Sequence, residues 1–214
     1  MELQILHWFE SLHNPITDPI MYGITFLGDK GWFWIALCVA FLFIPFLKKD
    51  RKIGVAMLIG LLLSLIMCNG VMKNSFARDR AFWVPDISTP DAPVISVEEG
   101  NVHTFENLYN VFNGIDDWSF PSGHTSASFA AAIAILLWDK KKGIPATILA
   151  ALIAFSRLYL TVHYPTDVLV SLILGSLYGV IGYLLTKLIM KKSEKFRMIF
   201  TGEASYKAMF KKEA

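Results

Sequence analysis

Two histidines, three cations and one carboxylate stand at spacings that suit phosphoryl chemistry. His163 and Asp167 are four residues apart, so on a helical turn the carboxylate can reach the imidazole. A carboxylate on one ring nitrogen fixes the tautomer and leaves the other nitrogen ready to attack. His124 follows Pro121, Ser122 and Gly123 at the head of an apolar run, where it can protonate a leaving oxygen as a general acid. Lys73, Arg80 and Arg157 supply positive charge, and arginine's planar fork fits phosphate oxygens. Gly123 lets the backbone come close to an anion. The N–H groups of Ser122 and Gly123, at a helix N-terminus that Pro121 would start, are donors reinforced by the helix dipole. Asp167 is the one acid on this spacing, so the group should attract a multiply charged anion and repel a divalent cation. No metal and no cofactor is expected, because the cations themselves can hold the charge of a transferring phosphoryl group.

Such residues need a scaffold, and the scaffold is apolar. Hydrophobic residues make up 54% of the 214 and charged residues only 18%. Mean hydropathy is +0.47. The apolar residues come in runs long enough to cross a hydrocarbon core, which takes roughly 20 residues. Five such runs are read as spans: Gly31 to Leu47, Ile53 to Met72, Pro121 to Trp138, Gly143 to Thr161 and Asp167 to Thr186. The expectation is one all-α, polytopic membrane helix bundle over residues 1–214. Ile16 to Leu27 is apolar but short, with Pro15 before it and Pro19 inside it. It can cross as a sixth, broken span or lie in the surface. Leu3, Leu6, Phe9 and Leu12 recur at helical spacing, which fits an interfacial amphipathic helix. Cys38 and Cys68 both sit inside apolar runs and read as packed thiols. The N-terminus has no basic region or cleavage site of a signal peptide.

Charge orients the spans. Lys48-Lys49-Asp50-Arg51-Lys52, Asp139-Lys140-Lys141-Lys142 and the basic residues after Thr186 alternate with the crossings. Short loops rich in Lys and Arg stay cytoplasmic, so all three clusters fall on one side. Residues 191–214 then form a basic cytoplasmic tail, lying on anionic lipid or solvated. Residues 74–120 form an extracytoplasmic loop carrying eight acids against Arg78 and Arg80. Within it Glu106 to Phe112 can form a short helix. A connection this long suggests a lid or a binding role. Every residue of the catalytic set falls near the span ends on that same side. Arg78 is an extra candidate for phosphate or headgroup contact, and Asn69, one turn before Lys73, either bonds within the bundle or supports the site.

The pattern resembles a known family. Lys73-x6-Arg80, then Pro121-Ser122-Gly123-His124, then Ser156-Arg157-x5-His163-x3-Asp167 is similar to the three-block signature of the type 2 phosphatidic acid phosphatase (PAP2) superfamily. The likeness runs over roughly residues 15 to 190. One departure is Ala81, where the family usually has proline; it loosens the turn after Arg80. The resemblance implies a six-helix membrane fold, which favours the N-terminal region as an extra crossing. It implies a phosphohistidine on His163, His124 as the acid, and Asp167 orienting His163. It assigns phosphate binding to Lys73, Arg80, Ser122, Gly123 and Arg157.

A site at the outer leaflet implies a membrane-delivered lipid phosphate and no nucleic-acid partner. By likeness to small bacterial members the expected substrate is undecaprenyl diphosphate, in the plasma membrane. Phosphatidylglycerophosphate or phosphatidate is the alternative. The aromatic residues Phe82, Trp83, Phe105, Tyr109, Phe112, Trp118 and Phe120 either line a lipid entry or form an interfacial belt. A transporter would need ionisable groups at mid-membrane depth, which the spans lack. A non-catalytic lipid-phosphate binder would need the cations but neither histidine.

Overall fold

Uncharged runs of Leu, Ile, Val, Phe and Ala can satisfy their backbone in hydrocarbon only as helices or a closed barrel. Helices are what form. The computed structural model describes residues 1–80 and 118–204, together with the backbone of a short antiparallel pair, β1 (Pro85–Asp86) and β2 (Thr89–Pro93). Ala81, the acidic stretch around His103, the expected Glu106–Phe112 helix and the last ten residues lie outside the described residues.

The order begins with α1 (Glu2–Glu10), α2 (Thr17–Gly28), a 3-10 turn (Asp29–Gly31) and α3 (Trp32–Phe43). A second 3-10 turn (Pro45–Asp50) leads into α4 (Arg51–Ser64), which continues as a π-helical segment (Leu65–Met72) into the single turn α5 (Lys73–Phe76). After the long connection come α6 (Gly123–Trp138), α7 (Lys140–Tyr159), α8 (Pro165–Lys192) and α9 (Glu194–Phe200). Four stretches are long and apolar enough to cross a membrane: Thr17–Phe43, Pro45–Phe76, Lys140–Tyr159 and Pro165–Lys192, with α6 as a shorter apolar helix. The protein is an integral membrane protein.

The expected N-terminal crossing is not a separate full-length span. With twelve residues, α2 measures about 18 Å at 1.5 Å per residue, short of the hydrocarbon thickness. It lies along one half of α7: Thr17 bonds the Tyr159 hydroxyl at 2.6 Å, Thr25 bonds Arg157, and Gly28 packs on Ile153. The chain then turns through Lys30 and Gly31, both in the left-handed region, and α2 and α3 together make up one crossing stretch, Thr17–Phe43.

α8 is the centre of the bundle and packs on α6 and α4; α7 covers α6, and α3 covers α4. Backbones touch directly there. A Cβ on Gly175 would meet the Ser126 carbonyl oxygen, and one on Gly182 the Ala56 carbonyl oxygen. Small residues give membrane helices this close approach, since apolar side chains gain little by leaving lipid. On the outside, Ile144, Ile148, Leu152 and Phe155 form an exposed stripe along α7 at helical spacing. Cys38 and Cys68 are buried and unbridged.

The basic clusters meet on one face. Lys142 Nζ bridges Asp50 at 2.8 Å and Asp139 at 2.9 Å. Arg51 donates to the carbonyls of Ile199 and Ala204. The tail thus starts as a docked helix, α9, with Ile199 and Phe200 buried. The catalytic candidates collect at the other face.

Candidate active site

Several side chains of the site are set by breaks in regular structure, while Arg157 lies in the last turn of α7. Lys73 follows the π-helical segment, a geometry in which one wider turn re-aims the residues beside it. Asn69 and Lys73 both reach the same cavity as a result. His124 is the second residue of α6, whose N-cap is Ser122. α6 has sixteen residues, about 24 Å, and its far end lies at the basic face. His163 sits in the turn between α7 and α8, not on a helix, and Asp167 is in the first turn of α8. Ala77, Thr161 and Lys30 hold positive φ. One lies in each of three stretches that line the site, and backbone strain of this kind collects at functional sites.

Lys73, Arg80, Gly123, His124, Arg157 and His163 line one cavity of about 840 Å³. Both imidazoles therefore face the same space, together with four of the residues named for phosphate binding. Arg80, Arg157 and His163 are almost wholly buried. Arg80 Nη1 donates to the Val162 carbonyl at 2.7 Å and lies 3.4 Å from His163 Nε2. Arg157 Nη1 donates to the Thr25 hydroxyl at 2.6 Å. The opposite ring nitrogen, His163 Nδ1, lies 3.7 Å from Asp167 Oδ2. Nε2 is thereby the nitrogen turned to the cations.

Asp167 is fully buried behind His163. Its Oδ2 accepts from the Tyr164 N–H at 2.9 Å and from the Ser119 hydroxyl, and its Oδ1 from Arg78 at 2.6 Å. Arg78 therefore does not face the cup as the sequence suggested; it stands on the far side of Asp167. Ser122 also differs from expectation. Its N–H is used by the Ser171 hydroxyl at 2.7 Å, and its own Oγ caps α6 at the Thr125 N–H. Ser122 is wholly buried, so it builds the helix end, and Gly123 is the residue of that pair on the cavity. Asp167 is not the only acid near the histidines. Asp29 Oδ1 lies 3.9 Å from His124 Nε2, brought there by the left-handed turn before α3.

From this cup the cavity runs on between α3 and α4, past Ile35, Val39 and Phe43 on one side and Leu58, Leu62 and Leu65 on the other. A cationic end continues into an apolar groove along most of α3. Trp118 is partly exposed and Phe120 packs edge-on against Phe76 at 4.8 Å; the remaining aromatic candidates lie outside the described residues. The Ser119 N–H donates to the Arg78 carbonyl at 2.8 Å, so the long connection leaves and returns beside the site.

Sequence reasoning missed Ser119, Ser171, Thr25, Asp29 and Glu2. Ser171 had a signal, being one helical turn beyond Asp167 on an apolar span. The others are joined to the site only by folding.

Gly123 gives a direct test of the close backbone approach. A Cβ there would stand 2.8 Å from Asn69 Oδ1, so Asn69 must move. Gly123→Ala should lower kcat/KM by about 10-fold to 100-fold, the cost of roughly an ångström of misplacement. Part of the loss should return in Gly123→Ala/Asn69→Ala. Assays of the solubilised single and double variants check this, and an undiminished single variant would exclude the close approach.

Comparison with known proteins gives one consistent picture. Residues 52–191 match the family model of the PAP2 superfamily. A putative undecaprenyl-diphosphatase of Escherichia coli, YbjG, is 31% identical over 184 residues, 85% of this chain and 74% of that protein. A lipid A 4'-phosphatase of Porphyromonas gingivalis is 27% identical over 172 residues, 78% of this chain and 66% of that one. Among solved structures, the PAP2-type phosphatidylglycerolphosphate phosphatase of Bacillus subtilis superimposes with a TM-score of 0.62 at 24% identity, covering 92% of this chain and 87% of its own. At that identity the likeness shows the fold.

Proposed function

The chain belongs to the PAP2 superfamily and is a membrane lipid phosphatase, and we propose that it hydrolyses undecaprenyl diphosphate to undecaprenyl phosphate through a phosphohistidine on His163. The observation that carries this reading is the continuity of the cavity: six phosphate-suited residues at one end, an apolar groove between two helices at the other. A single groove suits a lipid with one long tail, which favours a polyprenyl chain over a multiply acylated lipid. Among the relatives, the names include both undecaprenyl-diphosphatases and lipid A 4'-phosphatases.

The chemistry follows from the geometry. Lys73, Arg80 and Arg157 hold the terminal phosphate, with the Gly123 backbone beside it. The lone pair of His163 Nε2 attacks phosphorus, and the N–P bond forms as the bridging P–O bond breaks. Its electron pair goes to the leaving oxygen, which takes a proton from His124. Asp167 holds the Nδ1 side of the ring and balances the charge that develops there. Water then attacks the phosphohistidine, His124 takes back a proton from it, and the N–P bond breaks to free inorganic phosphate. The basic clusters at the opposite face support an extracytoplasmic site by the positive-inside rule, reached from the outer leaflet of a bacterial plasma membrane.

The test is a panel of purified substrates in detergent: undecaprenyl diphosphate, phosphatidylglycerophosphate, phosphatidate and lipid A. Undecaprenyl diphosphate should give the highest kcat/KM. A higher value for lipid A or a glycerophospholipid would replace it as the substrate. Turnover should persist in EDTA, because the cations stand where a metal would have to bind. Activity lost to chelator and restored by a divalent ion would overturn the mechanism.

A further inference from the structure

Glu2 and Arg78 play no part in the reaction just described, yet they form a built polar network behind it. Glu2 Oε1 accepts from the Thr166 N–H at 3.1 Å and the Thr166 hydroxyl at 2.6 Å. Its Oε2 accepts from Arg78 Nη2 at 2.8 Å. Arg78 Nη1 donates onward to Asp167 Oδ1 at 2.6 Å and to Thr166 Oγ1 at 2.8 Å. The guanidinium also stacks on the Tyr164 ring, 3.8 Å from its centroid. The bonds run from the first turn of α1, through the segment after α5, to the first turn of α8.

We propose that Glu2 and Arg78 are positioning residues for the phosphatase reaction: Glu2 fixes Arg78 on Asp167, and Arg78 sets the orientation of the carboxylate that faces His163. This rests on the reading of His163 as nucleophile and Asp167 as its partner. The physical reason is competition for one buried charge. Asp167 is fully buried, and a buried carboxylate needs a paired cation. Arg78 is bonded to it on the oxygen that His163 does not approach. By drawing charge to Oδ1, Arg78 weakens the pull of Oδ2 on the imidazole. His163 then stays unprotonated, and so able to attack, to lower pH.

The rest of the structure supports a fixed arrangement. α1 is anchored through Leu6 and Phe9, both buried, with Phe9 edge-on to Phe155 of α7 at 5.2 Å. Ile5 and Trp8 stay exposed, as in a helix lying in a membrane surface. Burial opposes the charge on Glu2, but hydrogen bonds from Thr166 and Arg78 outweigh it and hold the carboxyl below its usual range. Burial likewise opposes the charge on Arg78, and the attraction of Asp167 and Glu2 outweighs it. Among the described residues, the other charges lining the cavity beside His163 are cations or imidazole: Arg80 after α5, Lys73 on α5, Arg157 on α7 and His124 on α6. Asp29 lies beyond His124, and Asp79 acts on Tyr164. Arg78 is in direct contact with the Asp167 carboxylate at 2.6 Å.

The experiment compares full-length Arg78→Ala, Arg78→Lys, Glu2→Ala, Glu2→Gln and His163→Ala on undecaprenyl diphosphate across pH. Arg78→Ala should lower kcat by about 10-fold to 100-fold, as losing an outer partner of a metal-bound imidazole does. KM should hold within about twofold, since a group remote from substrate leaves uniform binding alone. The acid limb of kcat/KM should move to higher pH. The sign follows from charge: without the Arg78 cation behind Asp167, His163 takes up a proton more readily and loses its attacking lone pair from the acid side. Glu2→Ala should move the same limb less. Arg78→Lys and Glu2→Gln should each recover part of the alanine variant's loss. If Arg78→Ala does not fold, the two Glu2 variants decide by the same limb. An acid limb that stays in place, or a rise in KM as large as the fall in kcat, overturns the proposal. The second result would make Arg78 a substrate contact. Retained turnover in His163→Ala would instead defeat the nucleophile assignment.

Discussion

His163→Ala should cut lipid-diphosphate turnover by about 10⁴-fold or more, the scale seen when a nucleophile that works with its partners as a unit is removed. The ring is 1% exposed. Its Nδ1 is turned to Asp167 and its Nε2 to Arg80, and alanine keeps neither nitrogen. The cations that hold the phosphate are on other segments, so KM should change little while kcat collapses. The intermediate gives a second readout. Rapid quenching of the unmodified enzyme with radiolabelled substrate should trap protein-bound phosphate that is stable in alkali and labile in acid, and the variant should trap none. A variant that keeps even a tenth of its turnover would show that water attacks the substrate directly in this cup.

Arg80 should be nearly as sensitive, and lysine should not replace it. Its guanidinium does two jobs. It bonds the Val162 carbonyl at 2.7 Å, one residue before the nucleophile, and it lies 3.4 Å from His163 Nε2, where the phosphate must come. Nη2 also reaches the Trp118 carbonyl at 3.5 Å. A single ammonium cannot span these positions with the fixed fork that arginine provides. Arg80→Ala should lower kcat/KM by about 10²-fold to 10³-fold, the scale of losing one preorganised donor to a transition-state oxygen. Arg80→Lys should lie closer to the alanine variant than to the unmodified enzyme. The measurement is kcat/KM for both variants beside their melting temperatures in detergent. Lysine activity within about threefold of the unmodified protein would mean that charge alone, without the fork, is what the site requires.

The membrane helices, the two-faced distribution of charge and six of the residues on the cavity could be read from the chain before folding. These are local properties. An apolar run of this length has one way to satisfy its backbone in lipid, and the three motif blocks fall at span ends whatever the packing between spans. Asp167 was legible for the same reason, because its four-residue spacing to His163 is short enough to act within one turn. Tertiary structure decided the rest. It joined α2 to α3 as one broken stretch, Thr17–Phe43, rather than two separate spans, and Thr17 and Thr25 of α2 find partners on α7. It gave the Ser122 N–H to Ser171 and turned Arg78 away from the substrate toward Asp167. It also brought Glu2 and Asp29 to the surroundings of the two histidines. Glu2 is 164 residues from Thr166 in the chain, and no periodicity or motif encodes a contact that far apart. A buried carboxylate takes whichever cation the folded bundle carries to it, and that choice exists only once the helices have packed.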